Sequence, residues 1–123
     1  MQFAKLIFRI AGIWGFLILL PMYFLLDKIG QQNPPPVTHS EFYYGFVGLA
    51  LVWQIAFFLI ASDPVRFRPI MLAAIPEKFI FVVTVLILAR HQAISSGQWV
   101  GVAADFLLGI VFVIAYFRTP RSA

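Results

Sequence analysis

Four apolar runs, each about as long as a bilayer is thick, fill most of this 123-residue chain. They cover residues 6–26, 42–61, 69–89 and 99–117. A helix needs about 20 mostly apolar residues to cross a membrane, and its backbone polar groups must be satisfied within the segment. The runs therefore predict an all-α, integral membrane bundle of four transmembrane helices, forming a single domain over residues 1–123. The first run is too long for the apolar core of a signal peptide and is interpreted as a retained helix.

The composition excludes most soluble classes of protein. Hydrophobic residues make up 62% of the chain and charged residues 11%, whereas a soluble domain carries about 25% charged residues. There is no cysteine, and no phosphate-binding loop or hydrolase motif is present. The net charge of +4 comes without a basic cluster. We therefore expect no nucleic-acid partner, no cofactor and no metal, and enzyme activity is not favoured.

Basic residues are unevenly divided between the two sides of the predicted bundle. One side carries six of them: Lys5, Arg9, Arg66, Arg68, Arg118 and Arg121. The other side carries two, Lys28 and Arg90. Because basic residues near helix ends stay in the cytoplasm, this division predicts that both termini are cytoplasmic (N-in/C-in). Arg66 and Arg68 are candidates for contact with anionic lipid headgroups.

Four polar side chains lie well inside the apolar runs: Gln54, Glu77, Lys78 and Asp105. An Asp at the bilayer centre costs about 2.5–3.5 kcal/mol, so such residues are expected to face the bundle. There they either form a structural polar seam or mark a functional site. At about 1.5 Å per residue, Lys78 and Asp105 differ in depth by only ~6 Å, which predicts that they form an ion pair. The alternative is that the Lys78 side chain extends to the membrane interface without a partner. Glu77 is expected to be a poor partner for its neighbour Lys78. It lies at a similar depth to Gln54, with which it can hydrogen bond if the two helix faces meet.

Three glycines share a spacing of four residues with Asp105. They are Gly97, Gly101 and Gly109. Small residues at this spacing let another helix backbone approach closely, so they predict a helix-packing seam on the fourth helix. The connection after the first run contains Pro34, Pro35 and Pro36, and three prolines favour a stiff spacer, with a lid over the bundle as the alternative.

The central part of the chain, roughly residues 41–81, carries a family resemblance. It contains Glu41-Phe-Tyr-Tyr-Gly, Trp53-Gln54, Asp63-Pro-Val-Arg-Phe-Arg and Pro76-Glu-Lys. This stretch resembles small, largely uncharacterised bacterial four-helix integral membrane proteins, loosely DoxX-like in layout. The resemblance implies four helices and the bacterial inner membrane, but no particular reaction. In layout alone, the chain is also similar to the EXPERA group of sterol isomerases and ligand-binding proteins.

Two functional hypotheses follow from these residues. In the first, the polar residues Gln54, Glu77, Lys78 and Asp105 bind or transport a small amphipathic or cationic molecule, or relay protons, and a homodimer would suit so small a chain. In the second, the protein is an accessory or assembly subunit whose glycine face docks a membrane-protein partner. A cavity that reaches Glu77 would favour the first, and an exposed glycine face would favour the second.

Overall fold

A computed structural model describes residues 2–32 and 38–121. Within them the chain forms five α-helices: α1 (Gln2–Met22), α2 (Leu26–Gln32), α3 (Ser40–Ser62), α4 (Arg68–Leu88) and α5 (Ser96–Arg118). Four of these, α1, α3, α4 and α5, are long and apolar enough to cross a membrane. The all-α prediction with four candidate spans is thus confirmed. The proline triplet lies outside the described residues.

The first helix is where the predicted boundaries were wrong. The apolar run at 6–26 predicted one helix, but α1 begins at Gln2 and ends at Met22, and the unpredicted short helix α2 follows. Lys5 does not delay the start, because a long charged side chain can reach the interface from inside a helix. Near the other end, Pro21 has no N–H to donate, and the next turn tightens through a bond from Phe24 N–H to the Pro21 carbonyl (2.9 Å).

Local hydrogen bonds place the start of α5 three residues before its predicted start. The Ser95 hydroxyl accepts a hydrogen bond from Gln98 N–H (3.2 Å), and the Gln98 side chain accepts one from Ser95 N–H (3.0 Å). This capping box satisfies two backbone donors that the helix leaves free. The bounds of α3 and α4 lie within two residues of those predicted.

The four long helices are arranged as two hairpins, α1 with α3 and α4 with α5. Fewer contacts join α1 to α5 and α3 to α4. One core cluster includes residues from all four helices: Ala4, Phe8, Ala11, Phe57, Ile60, Ala61, Met71, Ala74, Phe112 and Ala115. At its centre the Phe112 ring stacks on Phe8 (4.2 Å between centroids) and meets the edge of Phe57 (5.1 Å).

This shared core lies in one half of the bundle, where α1 and α4 begin and α3 and α5 end. We call that side of the molecule the basic end, because it holds the six basic residues identified above. In the other half, the remaining cluster of Val82, Val85 and Val102 belongs to α4 and α5 alone. There α1 and α3 make their own contacts, such as the bond from Tyr43 Oη to the Met22 carbonyl (2.6 Å). The two hairpins are therefore joined mainly through the half that contains the basic end.

Candidate functional site

Lys78 lies on the buried face of α4. Met71, Ala74, Val82 and Val85, its neighbours at helical spacing, are all buried, so this stripe faces the bundle. Only 6% of the Lys78 side chain is exposed. The alternative in which Lys78 extends to the interface without a partner was therefore wrong.

The ammonium group of Lys78 lies between two carboxylates. Its Nζ atom is 3.4 Å from Oδ1 of Asp105 on α5, to which it donates a hydrogen bond, and 3.8 Å from Oε2 of Glu77. It also lies 5.2 Å from the centre of the Phe57 ring on α3, within the range of a cation–π interaction. The predicted Lys78–Asp105 pair is confirmed. Glu77, Lys78 and Asp105 are together called the Lys78 cluster below.

Glu77 was expected to be a poor partner for Lys78, and its contact is the weaker of the two, since the atoms lie 3.8 Å apart and form no hydrogen bond. Adjacent residues point about 100° apart around a helix, but the flexible lysine stem lets the ammonium group reach both acids. One cation then serves two carboxylates, so the formal charges of the cluster leave one negative charge without a counter-charge. Glu77 Oε2 is itself buried and accepts no hydrogen bond within the described part of the chain.

A groove runs past Glu77 on the outside of the bundle. It has a volume of about 530 Å³ and is lined by Trp53 from α3 and by Pro76, Glu77, Phe79, Ile80 and Val83 from α4. The groove is shallow and open rather than an enclosed cavity. Its walls are apolar and aromatic apart from the one acid, and 19% of the Glu77 side chain is exposed beside it.

Gln54 does not belong to this cluster, because its side chain faces away from Glu77 and the hydrogen bond between them does not form. Its amide is buried (1% exposed), and Nε2 donates to the Ala50 carbonyl of its own helix (2.7 Å). Its Oε1 has no hydrogen-bond partner among the described residues and lies against Gly15 of α1, where a Cβ atom would collide with it. α3 is therefore rotated so that Gln54 faces α1 while Trp53 lines the groove beside α4.

Gly15 was missed as a packing residue, although a signal was present in the sequence. Ala11, Gly12 and Gly15 are small residues at spacings of one and three to four within the first apolar run, the pattern that permits close helix approach. All three are buried, and Gly12 lies under the Phe58 ring of α3. The close contact between α1 and α3 depends on this small-residue surface.

The glycines of α5 pack inside the chain to different extents. A Cβ on Gly109 would be 2.7 Å from the Phe79 ring, and one on Gly101 would be 3.5 Å from Phe81, both on α4. Gly97 is exposed and meets no side chain from another helix. The glycine surface therefore contacts α4, and its larger part is not free for a second protein.

The two candidate headgroup arginines differ in their surroundings. Arg68 Nε donates to the carbonyls of Tyr116 (3.2 Å) and Thr119 (2.8 Å), and its guanidinium lies 3.8 Å from the centre of the Tyr116 ring. It thus satisfies carbonyls that the end of α5 leaves free. Arg66 is exposed beside Phe67. The sequence did not reveal the contact between Arg68 and α5, because the two segments are far apart in the chain.

Comparisons with known proteins add no homologue: no family model, no curated protein and no solved structure matches this chain.

Residues 2–32 and 38–121 contain no group of three or more His, Asp and Glu side chains arranged to hold a metal. His39 and Glu41, an exposed pair 3.4 Å apart, form an ion pair when the histidine is protonated. Functional inference therefore rests on the Lys78 cluster and its groove.

Proposed function

We propose that this is a multi-pass membrane protein that binds a small, amphipathic, cationic molecule at the Lys78 cluster. The observation that carries the proposal is the state of Glu77. Its buried Oε2 shares Lys78 with Asp105 and accepts no hydrogen bond from a described residue. A buried carboxylate needs both charge compensation and hydrogen bonds. A cationic ligand beside Glu77 would complete the charge compensation that Lys78 provides only in part, and it could donate the missing hydrogen bond.

The groove indicates the rest of the ligand. Its aromatic and aliphatic walls suit an apolar body. Trp53 is among the lining residues, and an indole ring is the aromatic side chain that attracts cations best. Asp105 has a different role, because it holds Lys78 at 3.4 Å and so keeps the ammonium from neutralising Glu77 fully. Since the groove lies on the outer surface between α3 and α4, the ligand would enter from the lipid. A proton is the smallest cation the same acid could take up. A homodimer would suit transport by so small a chain.

Location and orientation are part of the same proposal. The resemblance of residues 41–81 to small bacterial four-helix membrane proteins supports the bacterial inner membrane. The six-to-two division of basic residues supports cytoplasmic termini. The subunit hypothesis has less support, because Gly101 and Gly109 are covered by α4, so a docked partner would need another surface.

The test compares two ions of the same size and opposite charge, tetraphenylphosphonium and tetraphenylborate, as ligands of the purified protein in detergent. We expect the wild type to bind the cation more tightly, and Glu77→Gln to weaken that binding at least about tenfold, the effect of about 1.4 kcal/mol from one desolvated charge. Glu41→Gln is the matched control, because Glu41 is an exposed acid at the start of α3. Equal binding of both ions, or unchanged cation binding by Glu77→Gln, would refute the proposal.

A further inference from the structure

The net charge of +4 is distributed very unevenly over the molecule. The basic end holds six Lys and Arg residues and one acid, Asp63, which leaves five net positive charges. The opposite end holds Lys28 and Arg90 together with Asp27 and Glu41, so its formal charges cancel. The Lys78 cluster contributes the one remaining negative charge. Charge is thus concentrated at one end of an otherwise apolar bundle.

Contacts in the structure bring the basic segments together. The guanidinium of Arg118, at the end of α5, lies 4.5 Å from the centre of the Phe3 ring in the first turn of α1. Arg68, at the start of α4, bonds to the last carbonyls of α5. Three separate parts of the chain therefore converge at this end: the start of α1, the connection before α4 and the end of α5.

These cations have no acidic side-chain partner within the part of the chain that the structure describes. Among residues 2–32 and 38–121, none of the basic residues at this end forms an ion pair, and the Asp63 carboxylate accepts the backbone N–H of Arg66 (3.3 Å). Arg68 is occupied by α5, but Arg66 and Arg118 are exposed. Each places its guanidinium beside an aromatic ring, Phe67 and Phe3 respectively. Tyr116, whose ring lies under the Arg68 guanidinium at the same end, is of a residue type enriched where lipid headgroups lie.

We infer that the basic end docks on anionic phospholipid headgroups, with Arg66 and Arg118 as the main contacts. A guanidinium presents paired N–H groups that match two phosphate oxygens. Five net positive charges complement a negatively charged lipid surface. Each Lys or Arg near such a surface strengthens the binding of the protein to anionic lipid about fivefold. This inference is independent of the Lys78 cluster, which lies deeper in the bundle and has the opposite charge.

The experiment titrates phosphatidylglycerol or phosphatidylcholine into the full chain in a neutral detergent and counts bound lipids by native mass spectrometry. We expect the wild type to prefer phosphatidylglycerol, and Arg66→Gln with Arg118→Gln to weaken that binding by about 25-fold, fivefold for each lost charge. The matched control, Lys28→Gln with Arg90→Gln, removes the same charge from the opposite end and should change binding less than twofold. Helical circular dichroism verifies that each protein is folded.

Three results would overturn the inference. They are equal binding of the two lipids, an equal loss in the control variant, and phosphatidylglycerol binding that does not weaken as salt rises. If the double variant does not fold, Arg66→Lys with Arg118→Lys replaces it. That variant keeps the charge but loses the paired N–H groups, so it should retain a preference for phosphatidylglycerol and bind it less tightly than the wild type. Competition by inorganic phosphate at millimolar concentration would show that a free anion, not a lipid, is the ligand.

Discussion

At the scale of single residues, the most consequential arrangement is one lysine serving two acids. The Lys78 side chain is almost fully buried, whereas a quarter of the Asp105 side chain is exposed. The ammonium group would be costly at this position without its acids, since breaking a buried ion pair leaves an uncompensated charge. Asp105 provides the shorter of its two contacts, so the pair acts as a unit.

The double-mutant cycle of Lys78→Met and Asp105→Asn tests this coupling. We expect Asp105→Asn alone to lower the free energy of unfolding by about 1 kcal/mol, less than for a fully buried pair, because Asp105 is partly exposed and Glu77 remains beside Lys78. The double variant should lose less stability than the two single variants lose in total, by about 1 kcal/mol or more. Unfolding in mixed micelles measures these values. Strict additivity would mean that the two groups are not coupled.

At the scale of helices, close packing rests on small residues under larger ones. The α1–α3 contact places Gly15 against the Gln54 amide and Gly12 under Phe58, and the α4–α5 contact places Gly109 under Phe79. In lipid there is little hydrophobic drive between helices, so van der Waals contact and polar contacts decide which surfaces pair. Helix ends follow equally local rules, as the Ser95 cap shows. Steric fit, and between α4 and α5 also the Lys78–Asp105 contact, therefore holds each hairpin together more than hydropathy does.

Gly15→Ala tests the α1–α3 contact. The new methyl group would collide with the buried Gln54 amide, so we expect a loss of about 1–3 kcal/mol of stability from overpacking. Gly45→Ala on α3 is the control, because a Cβ there meets nothing within 4 Å, and helix propensity should make it neutral or stabilising by up to about 1 kcal/mol. Thermal unfolding in detergent compares the two. Equal effects would show that Gly15 has no special packing role.

At the scale of the whole molecule, the two hairpins join mainly near the basic end. The core cluster shared by all four long helices lies there, whereas the cluster in the other half belongs to α4 and α5. Phe112 contacts both Phe8 and Phe57, so one α5 ring links both helices of the other hairpin. The Lys78 cluster lies next to this junction, since Lys78 also contacts Phe57. Its geometry therefore depends on how the hairpins meet.

Phe112→Ala tests that junction. We expect the free energy of unfolding to fall by about 3 kcal/mol, at the low end for a buried Phe→Ala change. The value is low because in lipid the substitution removes packing contacts but changes little of the transfer from water. Spin labels on cysteines placed in α3 and α4 should also move apart, and the native chain has no cysteine to interfere. Phe117→Ala, in the exposed last turn of α5, should do neither. An unchanged label distance in Phe112→Ala would contradict this role.

The sequence by itself determined the number of long helices, the bounds of α3 and α4 to within two residues, and the similar depth of Lys78 and Asp105, which made their pairing one of two alternatives. These follow from run length and from a fixed rise per residue, which set how deep each residue lies. Only the tertiary structure decided which side of each helix faces which neighbour. That choice turned Gln54 toward Gly15 and Trp53 toward α4, brought Arg68 to the end of α5, and left Glu77 with a shared cation. The physical reason is that helices suited to lipid are apolar all round, so hydrophobicity sets their depth but not their rotation, which close packing must settle.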